Sequence, residues 1–212
     1  PSDLEPEIVI FAVKPQIMDE AVPAFSRYCS ANTTFLSIAA GKTIKYFEDS
    51  LGTDAIIVRA MPNTPASIRR GITVAIGNAR VSNTQQKTCS KLLEAVGEVL
   101  WVEDEKLIDA VTALSGGGPA YVFLLTECMA QAGIDAGLPE DLSHQLARVT
   151  VSGAGELMHK SNEQPAILRQ NVTSRGGTTA EALNILMAEN GFQSLMTEAI
   201  AAATARSKEL AH

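Results

Sequence analysis

Two stretches decide the fold: Ile8-Val9-Ile10-Phe11-Ala12-Val13-Lys14-Pro15 and Thr34-Phe35-Leu36-Ser37-Ile38-Ala39-Ala40-Gly41. The first contains the uninterrupted, β-branched-rich run Ile8 to Val13, and each stretch ends in a turn signal. A strand covered on only one face would alternate; Ile8 to Val13 does not and reads as a parallel strand covered on two faces, while Thr34 to Ala40 reads as a second strand closed by Gly41. Pro15 suits the first turn of a helix, predicted to continue to about Cys29. A short helix over Thr43 to Leu51 follows the second strand, and Ala55 to Ala60 is a third strand. Ile72 to Ile76 and Val99 to Val102 read as further strands, with an amphipathic helix over Asn83 to Val96 between them. Strands spaced by helices imply a doubly wound α/β sheet.

Beyond Asp104 the strand signals stop. Pro119, after three glycines, opens a helix to Ala136. Gly137 and Pro139 end it and begin another to Lys160. Pro165 opens a short helix, Thr178-x-x-Glu181 reads as a capping box for the next, ended by Gly191, and a final helix covers Phe192 to Leu210. The expected organisation is therefore a partial Rossmann-type domain over 1–103 and an all-helical domain over 104–212. The helix from Pro119 carries apolar residues on every side, including Tyr121, Val122, Phe123, Leu124 and Leu125. Such a helix must be surrounded, and a second subunit is the simplest source of cover.

Composition narrows the function. The 212 residues are 46% hydrophobic and 19% charged, with a formal net charge of −7. A nucleic-acid surface needs clustered Lys and Arg, and no basic stripe is present, so no nucleic-acid partner is expected. No uninterrupted apolar run reaches the roughly 18 residues of a membrane span, and no membrane partner is expected. Cys29, Cys89 and Cys128 are scattered and odd in number, which fits a reducing, cytoplasmic setting better than a disulfide framework. Three histidines without metal-ligand spacing give no metal site.

The chemistry-bearing segments are strand exits and glycine turns. Ligands of open parallel sheets bind beyond the carboxyl ends of the strands, where Ala12-Val13-Lys14-Pro15 and Ile38-Ala39-Ala40-Gly41 fall. Met61-Pro62-Asn63-Thr64-Pro65 is either a crevice-facing loop or a rigid turn with a side-chain hydrogen bond. Ser115-Gly116-Gly117-Gly118-Pro119-Ala120-Tyr121 permits close backbone approach, and Asn171-Val172-Thr173-Ser174-Arg175-Gly176-Gly177-Thr178-Thr179 ends at a helix N-terminus suited to a small carboxylate.

Taken in order, A-V-K-P, S-I-A-A-G, M-P-N-T-P, S-G-x-G-P-A-Y and P-x-x-L-x-x-x-V-T-S-x-G-G-T-T, these segments resemble the pyrroline-5-carboxylate reductases along essentially the whole chain. The resemblance implies a reductase that converts 1-pyrroline-5-carboxylate to L-proline with NADPH or NADH, the last step of proline biosynthesis. It also implies a helical domain that interlocks with a partner's in a homodimer or an assembly of dimers, and an active site between the cofactor domain and helices of the dimer. By the same resemblance Ala12, Val13, Lys14, Pro15, Ile38, Ala39, Ala40 and Asn171 contact the cofactor. Glu105, Ser174, Gly177, Thr178 and Thr179 hold the cyclic imino acid. Thr179 and Glu105 are the candidate catalytic pair, the first hydrogen-bonding the ring nitrogen and the second favouring its cationic form.

Three departures stand out. Gly117 replaces a usual serine, Arg175 replaces a usual proline, and no G-x-G-x-x-G fingerprint occurs anywhere. The last leads us to expect that the chain begins midway through the Rossmann domain. Two other readings compete. A β-hydroxyacid dehydrogenase would need a Lys on the helix from Pro119 with an Asn a turn further on, and that helix has neither. A non-catalytic dimerisation module would use the same glycine turns for packing alone.

Overall fold

The computed structural model describes residues 5–211, which divide into two compact units: 5–119 with 200–211, and 120–199. The first unit is built on a five-stranded sheet in the order β1 (Ile8–Phe11), β2 (Thr34–Ser37), β3 (Ile56–Met61), β4 (Gly71–Gly77) and β5 (Gly97–Trp101). Spatial order equals chain order, so no reversal of strand order occurs within these five strands. β1, β2 and β3 pair in parallel, as do β4 and β5. The β3–β4 ladder is antiparallel, so the sheet is mostly rather than wholly parallel. Its cause is length: residues 62–70 are too few for the crossover of about a dozen residues that parallel pairing needs. They form a 3₁₀ turn over Thr64–Ile68 instead.

Helices cover both faces, as the doubly wound class requires. On one face Phe11, Phe35 and Ile57 pack with Phe47 of α2 (Ile44–Leu51). There Phe11 stacks on Phe35 at 6.0 Å and on Phe47 at 5.5 Å between ring centroids. On the other, Leu36, Val58, Ala60 and Ala75 pack with Cys89 and Leu93 of α3 (Asn83–Leu93). Ser82 caps α3 in a full capping box with Gln85, and Thr43 caps α2 by accepting from Tyr46 N at 3.2 Å.

The helix expected from Pro15 to Cys29 is broken. Only α1 (Met18–Ala21) is α-helical, flanked by 3₁₀ turns at Pro15–Ile17 and Val22–Tyr28. Pro23 has no N–H to give the carbonyl four residues back, so the chain tightens there instead of continuing. A second proline shapes the end of the unit. α4 (Leu107–Val111) runs into a π turn at Thr112–Gly116, closed by Gly117 N donating to Thr112 O at 2.9 Å. Pro119 cannot donate to the Ser115 carbonyl, and the Asn63 amide donates to it instead at 3.2 Å.

The second unit is helical: α5 (Gly118–Asp135, from Ala120 onward), α6 (Glu140–Lys160), α7 (Pro165–Asn171), α8 (Thr178–Leu186) and the first part of α9 (Phe192–Leu210). α5 and α6 approach closely where Ser143 Oγ donates to Ala130 O at 2.6 Å. Buried side chains among the described residues of this unit are few, namely Ala130, Ser143 and Ala147, while Phe123 and Leu124 of α5 are 62% and 58% exposed. The run Leu107–Asp135 is long and apolar enough, by length and composition, to cross a membrane. Counting only uninterrupted apolar residues missed this, because Thr126, Glu127 and Gln131 break the run without lowering its mean enough.

Asn78 is the principal stitch at the end of β4. Its carbonyl accepts from Ile57 N, and its amide donates to Ala55 O at 2.9 Å and to Glu48 Oε1 at 3.0 Å. Asn78→Ala strips these partners at once, and roughly 1–3 kcal/mol of stability is expected to be lost. A urea unfolding midpoint that falls at constant slope is the measurement; an unmoved midpoint would contradict this role.

Candidate active site

The exits of β1 and β2 lie side by side, because Phe11 is in register with Ser37 and Ile38 N donates to Phe11 O at 3.1 Å. This brings Ala12-Val13-Lys14-Pro15 next to Ile38-Ala39-Ala40 at the carboxyl edge of the parallel strands. Ala12, Val13, Lys14 and Ala40 are exposed, and Ala39 is buried against the sheet. Gly41 then turns the chain with φ +80°, a conformation that costs an L side chain energy. A Cβ there would also stand 3.0 Å from the Leu210 carbonyl, at the end of α9. Ser207, in the same turn of α9, donates to Asp109 of α4 at 2.7 Å.

Lys42 continues this loop and is tied back to α1, donating from Nζ to Asp19 Oδ1 at 2.7 Å and lying 4.1 Å from the centre of the Tyr46 ring. That hydrogen bond holds the Asp19 carboxyl below its ordinary range. The Tyr46 hydroxyl is buried without a hydrogen-bond partner. Burial first, and then the Asp19 carboxylate, push it up to about 12.

Glu105 lies two residues before α4, and one of its oxygens serves two elements. Oε1 accepts from Ile44 N, the first residue of α2, at 2.9 Å and from Arg59 Nη1 of β3 at 2.6 Å. Arg59 is 4% exposed, a buried charge paired as burial demands. Sequence reasoning missed Arg59; its only signal was a charged residue inside the apolar run Ala55-Ile56-Ile57-Val58-Arg59-Ala60. It also left Asn63 undecided. The structure commits that side chain to holding the loop, since Oδ1 accepts from Ile72 N at 3.0 Å while the amide holds Ser115 O.

In the second unit, Ser174, Gly177, Thr178 and Thr179 fall within one turn and the helix start that follows it. Gly177 N donates to Ser174 O at 3.1 Å, closing a four-residue turn with Gly176 at φ +69°. Positive φ at the third position alone is the type II pattern, whose second position favours proline. Arg175 occupies that position, which accounts for the proline usual there. The expected Thr178 cap is not formed. Gly177 is the N-cap, its carbonyl accepting from Ala180 N at 3.1 Å and Glu181 N at 3.3 Å, and Thr178 is the first residue inside α8. The hydroxyls of Thr178 and Thr179 are thus not used as caps, and the N–H groups of both residues precede the first intrahelical bonds. Asn171 ends α7, and its amide donates to Glu163 Oε2 at 3.1 Å.

One unit is an α/β sheet covered on both faces with small residues at its strand exits, and the other is helical with a glycine turn before α8. Comparison with known proteins assigns the family. Residues 105–210 match the family model described as pyrroline-5-carboxylate reductase dimerisation. A pyrroline-5-carboxylate reductase of Pseudomonas aeruginosa is 43% identical over 205 residues, 97% of this chain and 75% of that protein. The solved structure of one from Coxiella burnetii superposes with a TM-score of 0.93 at 36% identity, covering 99% of this chain and 77% of that one. One from Plasmodium falciparum, solved with NADP bound, gives a TM-score of 0.83 at 33% identity, over 97% and 78% of the two chains. The chain belongs to the pyrroline-5-carboxylate reductase family and spans about three quarters of the length of these relatives.

Tyr46 offers a direct check on the loop's surroundings. Its native value lies above the ordinary 10, so the folded state holds the proton more tightly than the unfolded chain does. That contribution is complete below pH 10 and is lost as pH rises through about 12. Tyr46→Phe is expected to be no less stable at pH 7, since the hydroxyl lacks a partner. Its melting temperature should also fall less steeply than the wild type's between pH 10 and 12. Parallel slopes for the two proteins would overturn the assignment.

Proposed function

We propose that the protein reduces 1-pyrroline-5-carboxylate to L-proline with NADPH or NADH, the closing step of proline biosynthesis, as a cytoplasmic homodimer or assembly of dimers. The observation that carries this reading is the correspondence to reductases of this name along 97% of the chain. The NADP bound to the Plasmodium relative supports the cofactor class. Residues 1–103 serve as the cofactor domain and 104–212 as the dimerisation and substrate domain.

The residues at the carboxyl edge fit the flat end of a dinucleotide. Two adjacent strand exits offer small, exposed residues at Ala12 and Ala40, and Gly41 adds no Cβ. Ala12, Val13, Lys14, Pro15, Ile38, Ala39 and Ala40 would hold it, and Asn171 is the further cofactor contact that the family resemblance implies. Bound there, the reduced nicotinamide supplies the hydride that adds to the C=N carbon.

The chain's own residues orient the acceptor. The N–H groups of Thr178 and Thr179, at the positive end of α8, hold the carboxylate beside Gly177 and Ser174. Glu105, whose Oε2 neither of the two bonds to Oε1 uses, would favour the cationic form of the ring nitrogen, and the Thr179 hydroxyl would hydrogen-bond that nitrogen. The nitrogen carries its proton through the step and leaves as a neutral secondary amine. Positioning and charge placement supply the acceleration, which explains the absence of a nucleophilic triad. Neither Lys nor Asn occurs in α5, which disfavours the β-hydroxyacid dehydrogenase reading.

Thr179→Ala in the full-length enzyme is expected to lower turnover by one to two orders of magnitude, roughly 1.4–2.7 kcal/mol in barrier. The melting temperature should hold, because this hydroxyl is no cap. Unchanged turnover would remove Thr179 from the mechanism. For assembly, sedimentation is expected to show a dimer or larger species through the micromolar range. A stable folded monomer there would contradict the interlocked helical domain.

A further inference from the structure

We infer that Arg59 is a positioning residue for cofactor binding, acting through Glu105 on the loop that leaves β2. The inference rests on the proposed reductase reading only for the identity of the cofactor. Arg59 stands on β3 in register with Ser37, the last residue of β2, and the loop 38–43 begins directly after it. Its guanidinium is buried, yet the bond from Arg59 Nη1 to Glu105 Oε1 runs toward α2 and α4. The same oxygen receives Ile44 N, the N–H that ends the loop and starts α2. Ile44 also packs against both apolar clusters of this face, the one around Phe47 and the one around Ile108.

One buried cation therefore fixes one carboxylate, which fixes the far end of the loop. The near end is already fixed by the Ile38–Phe11 backbone bond and the middle by the Lys42–Asp19 pair. Loop 38–43 lies at the carboxyl edge of three parallel strands, where an open α/β sheet takes its ligand. A charge-assisted bond shared between a strand, a helix start and the segment before α4 is stronger and more directional than a neutral one. Releasing Arg59 frees the helix start to shift, and the loop moves with it. Thr178 and Thr179 belong to another element, and a lysine at position 59 keeps a cation beside the Glu105 carboxylate.

The test uses the full-length enzyme with Arg59→Lys, which keeps the charge and loses the planar fork. Direct titration of NADPH by its fluorescence is expected to show at least threefold weaker binding, and the KM for NADPH to rise in step. Turnover at saturating cofactor should stay within about twofold, since positioning energy lost in binding leaves the chemical step unchanged. Unchanged NADPH affinity would overturn the inference, as would an increase confined to the KM of the imino acid, which would assign the pair to the substrate alone. If Arg59→Lys melts near the assay temperature, the titration and kinetics are repeated well below its melting temperature, with the wild type beside it and the same criteria. Failure of the underlying reading looks different: the wild-type enzyme would bind NADPH and not reduce 1-pyrroline-5-carboxylate.

Discussion

A helix that is apolar all the way round has to be enclosed, and α5 imposes that demand on everything after residue 119. Val122, Phe123, Leu124, Leu125 and Met129 point in different directions around it and all remain exposed in a single chain. Completing the burial of such half-covered side chains is worth on the order of 1 kcal/mol apiece. Summed over α5 and the exposed leucines of α6, that approaches the whole net stability of an ordinary domain. The three small residues buried within this unit, Ala130, Ser143 and Ala147, cannot supply a comparable core. The match of 105–210 to a dimerisation family supports a homo-oligomer, the kind of assembly that meets such a demand.

The strand-bearing unit solves the opposite problem, since its sheet is enclosed on both faces by its own helices. Aromatic stacking around Phe11 fixes α2 on one face, and Cys89 and Leu93 fix α3 on the other. Polar groups are then spent at the seams. Asn63 takes the carbonyl that Pro119 cannot use, Asn78 closes the end of β4, and Glu105 joins Arg59 to the start of α2. Each seam pins a loop that the sheet's edge presents to solvent.

Much of this was legible in the amino-acid order, for reasons that differ by residue. The helix Phe192–Leu210 could be read to its last residue because Gly191 and an uninterrupted helical composition bound it. α2 was legible from the Thr43 cap, and the strands from their β-branched runs. The break in the first helix was not, although Pro23 was in plain view, because a proline after α1 is compatible with either a kink or a stop. The direction of β4 depended on the reach of a nine-residue connection, a three-dimensional constraint that composition does not carry. The capping box at Thr178 matched a pattern that Gly177 satisfies by backbone alone. Among the candidate site residues, Ala12 to Pro15 and Ile38 to Ala40 follow β1 and β2, and Thr178 begins α8. Arg59 was invisible because its partner lies 46 residues away.

The last turn of α9 has a consequence for the order in which the protein is made. Ser207 and Leu210 meet Asp109 and Gly41, so the strand-bearing unit draws its final pieces from more than 90 residues downstream of its last strand. During translation the five strands leave the ribosome long before those residues exist. Until they arrive, Gly41 and α4 lack the cover that Leu210 and Ser207 provide. The helical segment must be synthesised first, so that the strand-bearing half is completed only after the part that pairs subunits has emerged.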